Sequence, residues 1–487
     1  MTALALSGIA AAGDSDMIRI SAQIHSVNRD GSSTVIAEPT LAVPVGKWAA
    51  FKDLNEYTFP IKYTLPSIPA ELAKTAKIAR NPNDTEAWTT NQQGAVIPEH
   101  PAKFESREQG LTAKFRPRIN SNGKVVVECE VEQTVFHGFV NETNPITVTK
   151  VRKGGKKTTE TILQNARQRH VFTTRRQELK FLPTETGHIA DILSDEVTEE
   201  AENAKAPKIL VSLSAERLEK PEEKRKAPPK NARVFVTVQV IEMTGAPVLD
   251  PATAKAVGMN SPILTDSQFQ VMIRALNQKK GVDLLSAPSL LLPVGKTGKV
   301  EVTREFIYPV EYDPPEIPSE VVSANGPAKD EKGMHSFPVT PAAPTEFKTV
   351  NTGVEIEVAA RILSDRRIEL DLRPAVIELE GMLNFGTAIT IDDISAFGKK
   401  RKVVLTENRI EMPKFHRREI ETTARLNDGL TVILGGLVKE EIQDVEDKIP
   451  VLGDLPFVGR LARSRTELHL KRHLLFAIKA ELVDEGE

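Results

Sequence analysis

Residues 429–483 read GLTVILGGLVKEEIQDVEDKIPVLGDLPFVGRLARSRTELHLKRHLLFAIKAELV. An apolar strand, Leu430 to Leu434, runs into the pair Gly435-Gly436, and an acidic loop follows. Next comes Ile449 to Leu461, which contains Pro450, Gly453, Asp454, Pro456 and Gly459. A final apolar strand, Leu474 to Val483, completes the order. Two glycines after an apolar strand let the backbone turn, or lie against a neighbour where a side chain would clash. Leu-Gly-Asp-Leu-Pro is turn chemistry: glycine supplies unusual φ, aspartate bonds its own backbone and proline fixes the exit. Leu455, Val458 and Leu461 recur at a spacing that gives one short apolar face. The same residues, taken singly, also suit an ordinary strand–turn–strand of a soluble β domain.

The rest of the chain points the same way. Its 487 residues are enough for two or three domains with sizeable cores. Lys and Arg total 64 against 67 for Asp and Glu, so no basic excess marks a nucleic-acid binder. Aromatic residues are 5%, prolines number 32, and short Val/Ile/Thr-rich alternating segments dominate over long helical periods. This is a mainly β (β-rich α+β) composition with long connections. The single cysteine, Cys129, alternates with Val127 and Val131 on one expected strand face, so no intrachain disulfide or thiolate metal cluster can form. No run of 18 apolar residues marks a transmembrane helix, but closed β-barrels span bilayers on weaker, alternating signals.

The ordered C-terminal pattern resembles the secretins, the ring-forming channel proteins of bacterial outer membranes that serve type II and III secretion, type IV pili and filamentous phages. The likeness extends over about residues 233–487. Val234 to Met243 (VFVTVQVIEM) resembles the opening strand of the secretin core. A helix is expected over Asp266 to Lys279, capped by Thr265, with Phe269, Met272, Ile273 and Leu276 on one face. Val300 to Tyr312 resembles the strand entering the first pore hairpin. Residues 313–346, rich in Pro, Ala, Gly and Ser and including Pro314, Pro315 and Pro318, stand where that hairpin carries the inner gate. NTGVEIEVAARILSDRRIELDLRP (351–374) resembles the strand pair after the gate, with Val354, Ile356 and Val358 alternating against Glu355 and Glu357. PKFHRREIETTARLNDG (413–429) resembles the run before the Gly-Gly strand. Residues 381–412 depart from the pattern: they are polar and irregular, with KKRK at 399–402.

The resemblance implies a homomultimeric outer-membrane ring whose strands, drawn from many subunits, close one gated β-barrel for protein secretion or pilus passage. It implies no covalent chemistry, no cofactor and no catalytic or metal residue. The implied signature and assembly residues are Gly435, Gly436, Pro450, Gly453, Asp454, Pro456 and Gly459; the implied gate contains Pro314, Pro315 and Pro318. The implied partners are further copies of the chain, outer-membrane lipid, inner-membrane secretion or pilus machinery and exported protein cargo, with no nucleic acid. The implied location is the outer membrane and periplasm of a diderm bacterium. The competing reading is an envelope structural or adaptor protein that keeps the fold without the pore.

A second signal is internal. IAEPTLAVPVGK (36–47) recurs as LSAPSLLLPVGK (285–296): Pro39 and Pro44 match Pro288 and Pro293, both 249 positions later. YTFPIKY parallels FIYPVEY. Phe104 to Arg118 parallels Phe347 to Arg361, with Gly110 matching Gly353; Arg175-Arg176 parallels Arg417-Arg418; 209–220 parallels 474–485. The order is conserved, which predicts an internal duplication. In the first copy Gly187 aligns with Gly429, and Ile192-Leu193-Ser194 stands where Leu434-Gly435-Gly436 stands, so that copy reads as degenerate. The expected division is 1–16, a leader remnant or disordered tail; 17–218, the degenerate secretin-like module; 219–232, a charged Pro-rich linker; and 233–487, the secretin core.

Other patterns carry less. Gly295-Lys296-Thr297 lacks the earlier glycine of a phosphate-binding loop, since position 290 is leucine, and the duplicated Pro-Val-Gly-Lys reads as a hairpin turn. His469 and His473 have ligand-like spacing but no zinc-protease glutamate, and read as a solvated turn beside Lys471 and Arg472. Lys150 to Lys157 reads as a solvated hairpin tip.

Overall fold

The computed structural model describes residues 16–27, 33–74, 76–78, 89–91, 94–151, 155–181, 188–192, 208–218, 232–244, 262–278, 281–316, 339–363, 367–394, 400–448 and 463–483. The first half contributes β1 (Met17–Val27), β2 (Ser33–Ala37), β3 (Thr40–Pro44), β4 (Ala49–Tyr63), β5 (Ser67–Pro69), α1 (Ala70–Ala73), β6 (Ala76–Ile78), β7 (Thr89–Asn91) and β8 (Ala95–Val96). It continues with β9 (Pro101–Ile119), β10 (Val125–Val151), β11 (Lys157–Phe181), β12 (His188–Ile192) and β13 (Lys208–Arg217). The second half opens with β14 (Arg233–Thr244), β15 (Ile263–Leu264), α2 (Asp266–Asn277), β16 (Val282–Ser286), β17 (Ser289–Pro293), β18 (Thr297–Asp313) and β19 (Ala343–Ile362). It ends with β20 (Ile368–Asn384), β21 (Ile389–Ile394), β22 (Lys400–Thr406), β23 (Glu411–Leu426), β24 (Thr431–Lys448) and β25 (Arg463–Val483). The chain is mainly β, as the alternating segments predict.

Two large sheets pack on one core. The first runs β12-β13-β1-β3-β24-β25-β14-β16, with β17 beside β14. The second runs β11-β10-β9-β18-β19-β20-β23-β4, and β4 also pairs with β9. Inward residues of both sheets, among them Ile18, Val211, Val236 and Phe476 from one and Phe51, Phe115, Ile356 and Leu370 from the other, form a single apolar cluster. Strand alternation explains the choice: in β14 every second residue from Val234 is buried, and Val354, Ile356 and Val358 face the core while Glu355 and Glu357 do not. Cys129 is buried between Val127 and Val131 on the same face.

Several strand pairings of the two halves are alike. β4 pairs with β9 at Phe51↔Ala113, and β18 with β19 at Val300↔Ile356. β9 pairs with β10 at Ile119↔Val125, and β19 with β20 at Ile362↔Ile368. Turn bonds correspond as well. The Gly46 amide donates to Pro117 and the Gly295 amide to Ala360; Ala22 donates to Pro39 and Val238 to Pro288. Gly110 and Gly353 both have positive φ, +134° and +133°, and a Cβ at either would fall on the facing carbonyl oxygen, of Asp53 or Val302.

Several sequence expectations need correcting. The ladders put Arg176 at the place of Glu419, one residue from the alignment of Arg175 with Arg417. They put Ala190, not Ile192, at the place of Leu434, because Ala190 opposes Val211 as Leu434 opposes Phe476. The glycine pair does not end its strand. β24 continues through it to Lys448, so the acidic stretch is strand rather than loop, hydrogen-bonded to a β25 that already begins at Arg463. His469 and His473 lie within β25, and His473 is buried, so neither occupies a solvated turn. Residues 381–412 contain a regular hairpin, β21 with β22, which also pairs with β8. Residues 343–346 of the expected gate connection already belong to β19.

Candidate functional site

Gly435 occupies a bulge. The β24–β25 register shifts between Gly435 and Leu437, leaving Gly436 as the additional residue. Gly435 itself pairs with Leu475 on one side and Thr40 of the first half on the other. A Cβ on Gly435 would fall on the tip of the Leu475 side chain, so glycine is favoured here by close approach and not by φ. Leu475 is held in turn by an apolar cluster with Phe269, Met272, Leu276 and Ile433. Helix α2 therefore braces the bulge. It starts with a capping box: the Thr265 hydroxyl accepts from the Gln268 amide, and the Gln268 side chain accepts from Thr265 N. Phe269, Met272 and Leu276 are its buried face, as the sequence predicts. Lys479 of β25 ties to the helix through Asp266 at 2.9 Å and lies 2.8 Å from Glu481; the hydrogen bonds it donates to Glu481 and then Asp266 hold its ammonium above the ordinary lysine value.

β23 carries an ionic arrangement that sequence reasoning did not assign. Both faces of this strand are buried, yet it contains His416, Arg418, Glu419 and Arg425. Arg418, 1% exposed, reaches Glu378 of β20 at 2.9 Å and Glu242 of β14 at 3.6 Å, linking the two sheets. Arg425 pairs with its cross-strand neighbour Glu369 at 2.8 Å. His416 lies 2.5 Å from Asp53, and Glu419 lies 3.2 Å from Lys52, both partners on β4 of the first half. Buried charges persist only when paired, and truncating one partner costs more than the pair contributes. The readable signal was an alternation of charge and Thr on both faces of a strand that otherwise reads as core.

The candidate gate leaves the β18–β19 hairpin through a closed neck. Pro314 is exposed and Pro315 buried; Pro318 lies outside the described residues. Glu316 and Thr340 exchange two backbone bonds of 3.0 Å, so the chain on either side of residues 317–338 is held together. Asn408 pins this neck: its side chain accepts from the Ala342 amide at 2.8 Å, and its backbone sits at φ 47°. Asn384 Oδ1 accepts from Gly386 and Ile410, fixing the neighbouring end of β20 and the approach to β23. Tyr308, Tyr312, Phe385, Ile410, Met412 and Phe415 pack beneath, with Phe104 from the first half. Pro450, Gly453, Asp454, Pro456 and Gly459 lie outside the described residues. Among the described residues no group of acidic, His or Cys side chains could hold a metal, and no helix is long and apolar enough to cross a membrane.

Residues 275–484 match the family model Secretin, described as bacterial type II and III secretion system protein. The secretin XcpQ of Pseudomonas aeruginosa is 24% identical over 249 residues, covering 51% of this chain and 30% of that protein. Competence protein E of Haemophilus influenzae is 25% identical over 215 residues, covering 44% of this chain and 37% of that protein. The chain thus spans about a third of the length of these relatives. The enteropathogenic Escherichia coli type II secretin GspD is a similar solved structure, at 16% identity and TM-score 0.24, covering 53% of this chain and 71% of that one. Residues 275–484 of this chain are thus similar to the secretin family.

Proposed function

We propose that the chain is a subunit of a ring-shaped outer-membrane channel for protein secretion or pilus passage through a gated lumen, without covalent chemistry. The observation that carries this reading is the antiparallel run β18-β19-β20-β23, which lies within residues 275–484 and whose strand β18, among the described residues, is paired along its length on one side only. A long unpaired edge is stabilised when another strand adds to it, and closure into a barrel removes the edge altogether. The partners that follow are further copies of the chain, outer-membrane lipid, the inner-membrane part of a secretion or pilus machine, and exported cargo. Gly435 and Gly436 shape the assembly sheet, and residues 313–346, tied together at Glu316 and Thr340, contain the gate. Negative-stain imaging of detergent-extracted full-length protein tests this: rings with a central opening are expected, and a monomer in detergent contradicts it.

A second reading has one observation in its favour. β18 meets β9 at the bridge Glu311↔Lys103, so β9, β18, β19, β20, β23 and β4 form a cycle within one chain. A protein that keeps that closure serves as an envelope scaffold without a pore. Planar-bilayer conductance separates the two.

A further inference from the structure

The cycle is closed by a single residue pair, whereas the seam between the halves is a ladder from Lys414↔Tyr57 to Glu421↔Ala50. That seam joins β23, the last strand of the second four-strand run, to β4, the first strand of the other run. The corresponding strands at the two outer ends are β11 and β18. β11 pairs with β10, and β18 with β19; the outer side of each carries no ladder among the described residues apart from the Glu311 bridge.

We infer that each chain is a tandem pair of equivalent four-strand units, and that β18 of one copy pairs with β11 of the next in the register already seen between β4 and β23. This rests on the ring reading above and adds who pairs with whom and where.

The register follows residue by residue from the ladders. β4 maps on β18 by matched pairs with β9 and β19, and β23 maps on β11 by matched pairs with β20 and β10. Lys52, which faces Glu419, corresponds to Glu301; Glu419 corresponds to Arg176. The ion pair at the internal seam therefore becomes Glu301 opposite Arg176, with both signs exchanged and complementarity kept. One position along the same face, Ala50 opposite Glu421 becomes Lys299 opposite Glu178. Opposite charges directly across strands favour a register, and like charges oppose it. Exchange of both signs is what a chain needs if its two seams are to remain distinct.

Burial gives an independent argument. Positions covered at the internal seam are open at the outer edge. Ala42 is 0% exposed, while its counterpart Leu291 is 43% exposed; Asp53 is covered by β23, while its counterpart Val302 is 53% exposed. Leu284 and Val294, at 59% and 39%, extend the same apolar border. A solvent-facing row of Leu and Val whose counterparts are buried at Ala42 and half-buried at Val35, Val45 and Asp53 marks an interface for a second copy of that chain. In such a ring every second seam is covalently fixed, so the number of chains is half the number of units, and the Lys103–Glu311 bridge yields to the intermolecular ladder.

The test uses the full chain. Arg176→Cys and Glu301→Cys are placed separately on two chains of different tagged mass, both with Cys129→Ala. A thiol-specific cross-linker should yield mixed dimers, roughly tenfold more than the off-register combination of Arg176→Cys with Glu305→Cys. In the native-cysteine background Arg176→Glu should lower the multimer fraction about tenfold, and adding Glu301→Arg should restore it to within about twofold. Rings in negative stain that lack the 176–301 cross-link, or a double variant no better than the single, would overturn this pairing and leave the channel reading standing. A chain that is monomeric under all conditions overturns both.

Discussion

Leu475 occupies the space that a side chain at Gly435 would need. The contact sits at the bulge where the two halves meet, since Gly435 also pairs with Thr40. Gly435→Val must displace Leu475 from its packing against Phe269 and Met272, and overpacking of a filled core costs about 1–3 kcal/mol. The expected result is a lower thermal midpoint and loss of multimers. Gly435→Val combined with Leu475→Ala should recover part of the stability, as read by denaturant unfolding.

Gly110 and Gly353 make a matched pair of tests. Alanine at either would sit at a φ that L residues rarely adopt and on a backbone oxygen, which cannot move as a side-chain tip can. Each substitution should cost at least about 2 kcal/mol. Circular-dichroism melts of Gly110→Ala and Gly353→Ala should fall together; a mild effect at one only would show that the halves carry different strain there.

Asn408→Ala removes the acceptor for the Ala342 amide and leaves alanine at φ 47°. A buried amide without its partner costs about 1–3 kcal/mol. Because the bond sits at the neck of the candidate gate, faster hydrogen exchange at Thr340 and Ala342 is expected before any global change. Unaltered exchange there would remove Asn408 from the account of the neck.

Replacing residues 318–337 by a short Gly-Ser linker keeps the Glu316–Thr340 bridge. If the segment plugs a lumen, assembly should be unchanged, while bilayer conductance and antibiotic uptake through the outer membrane rise. A variant as closed as the parent takes the gate away from this segment.

His100 gives a pH test. It is buried, its Nδ1 lies 2.8 Å from the Thr64 hydroxyl, and burial holds its pKa below the ordinary histidine value. The folded state therefore prefers the neutral ring. Its contribution is complete above pH about 6.5 and is lost as pH falls below that toward the depressed folded value. His100→Gln should reduce the drop in Tm between pH 7.5 and pH 5.5, measured against the parent.

Periodicity made much of this protein legible. The alternation in Val234 to Met243 and in Val354 to Val358 and the cap at Thr265 needed only local chemistry, and each is where the sequence placed it; the Pro-Val-Gly-Lys segments do turn, but they carry the chain from one sheet to the other instead of closing a hairpin. The ordered C-terminal pattern pointed to the family whose model matches residues 275–484. The tertiary structure decided what depends on partners distant in sequence. It carried β24 through Gly435-Gly436, because β25 offers a continuous ladder that local turn chemistry cannot foresee. It made the charges of β23 core residues, because Glu242, Glu369, Asp53 and Lys52 come from three other strands to meet them. And it set the first half's β4 against the second half's β23. A strand's sequence fixes which of its faces is apolar, but which edge it shares is settled only when the whole sheet is assembled.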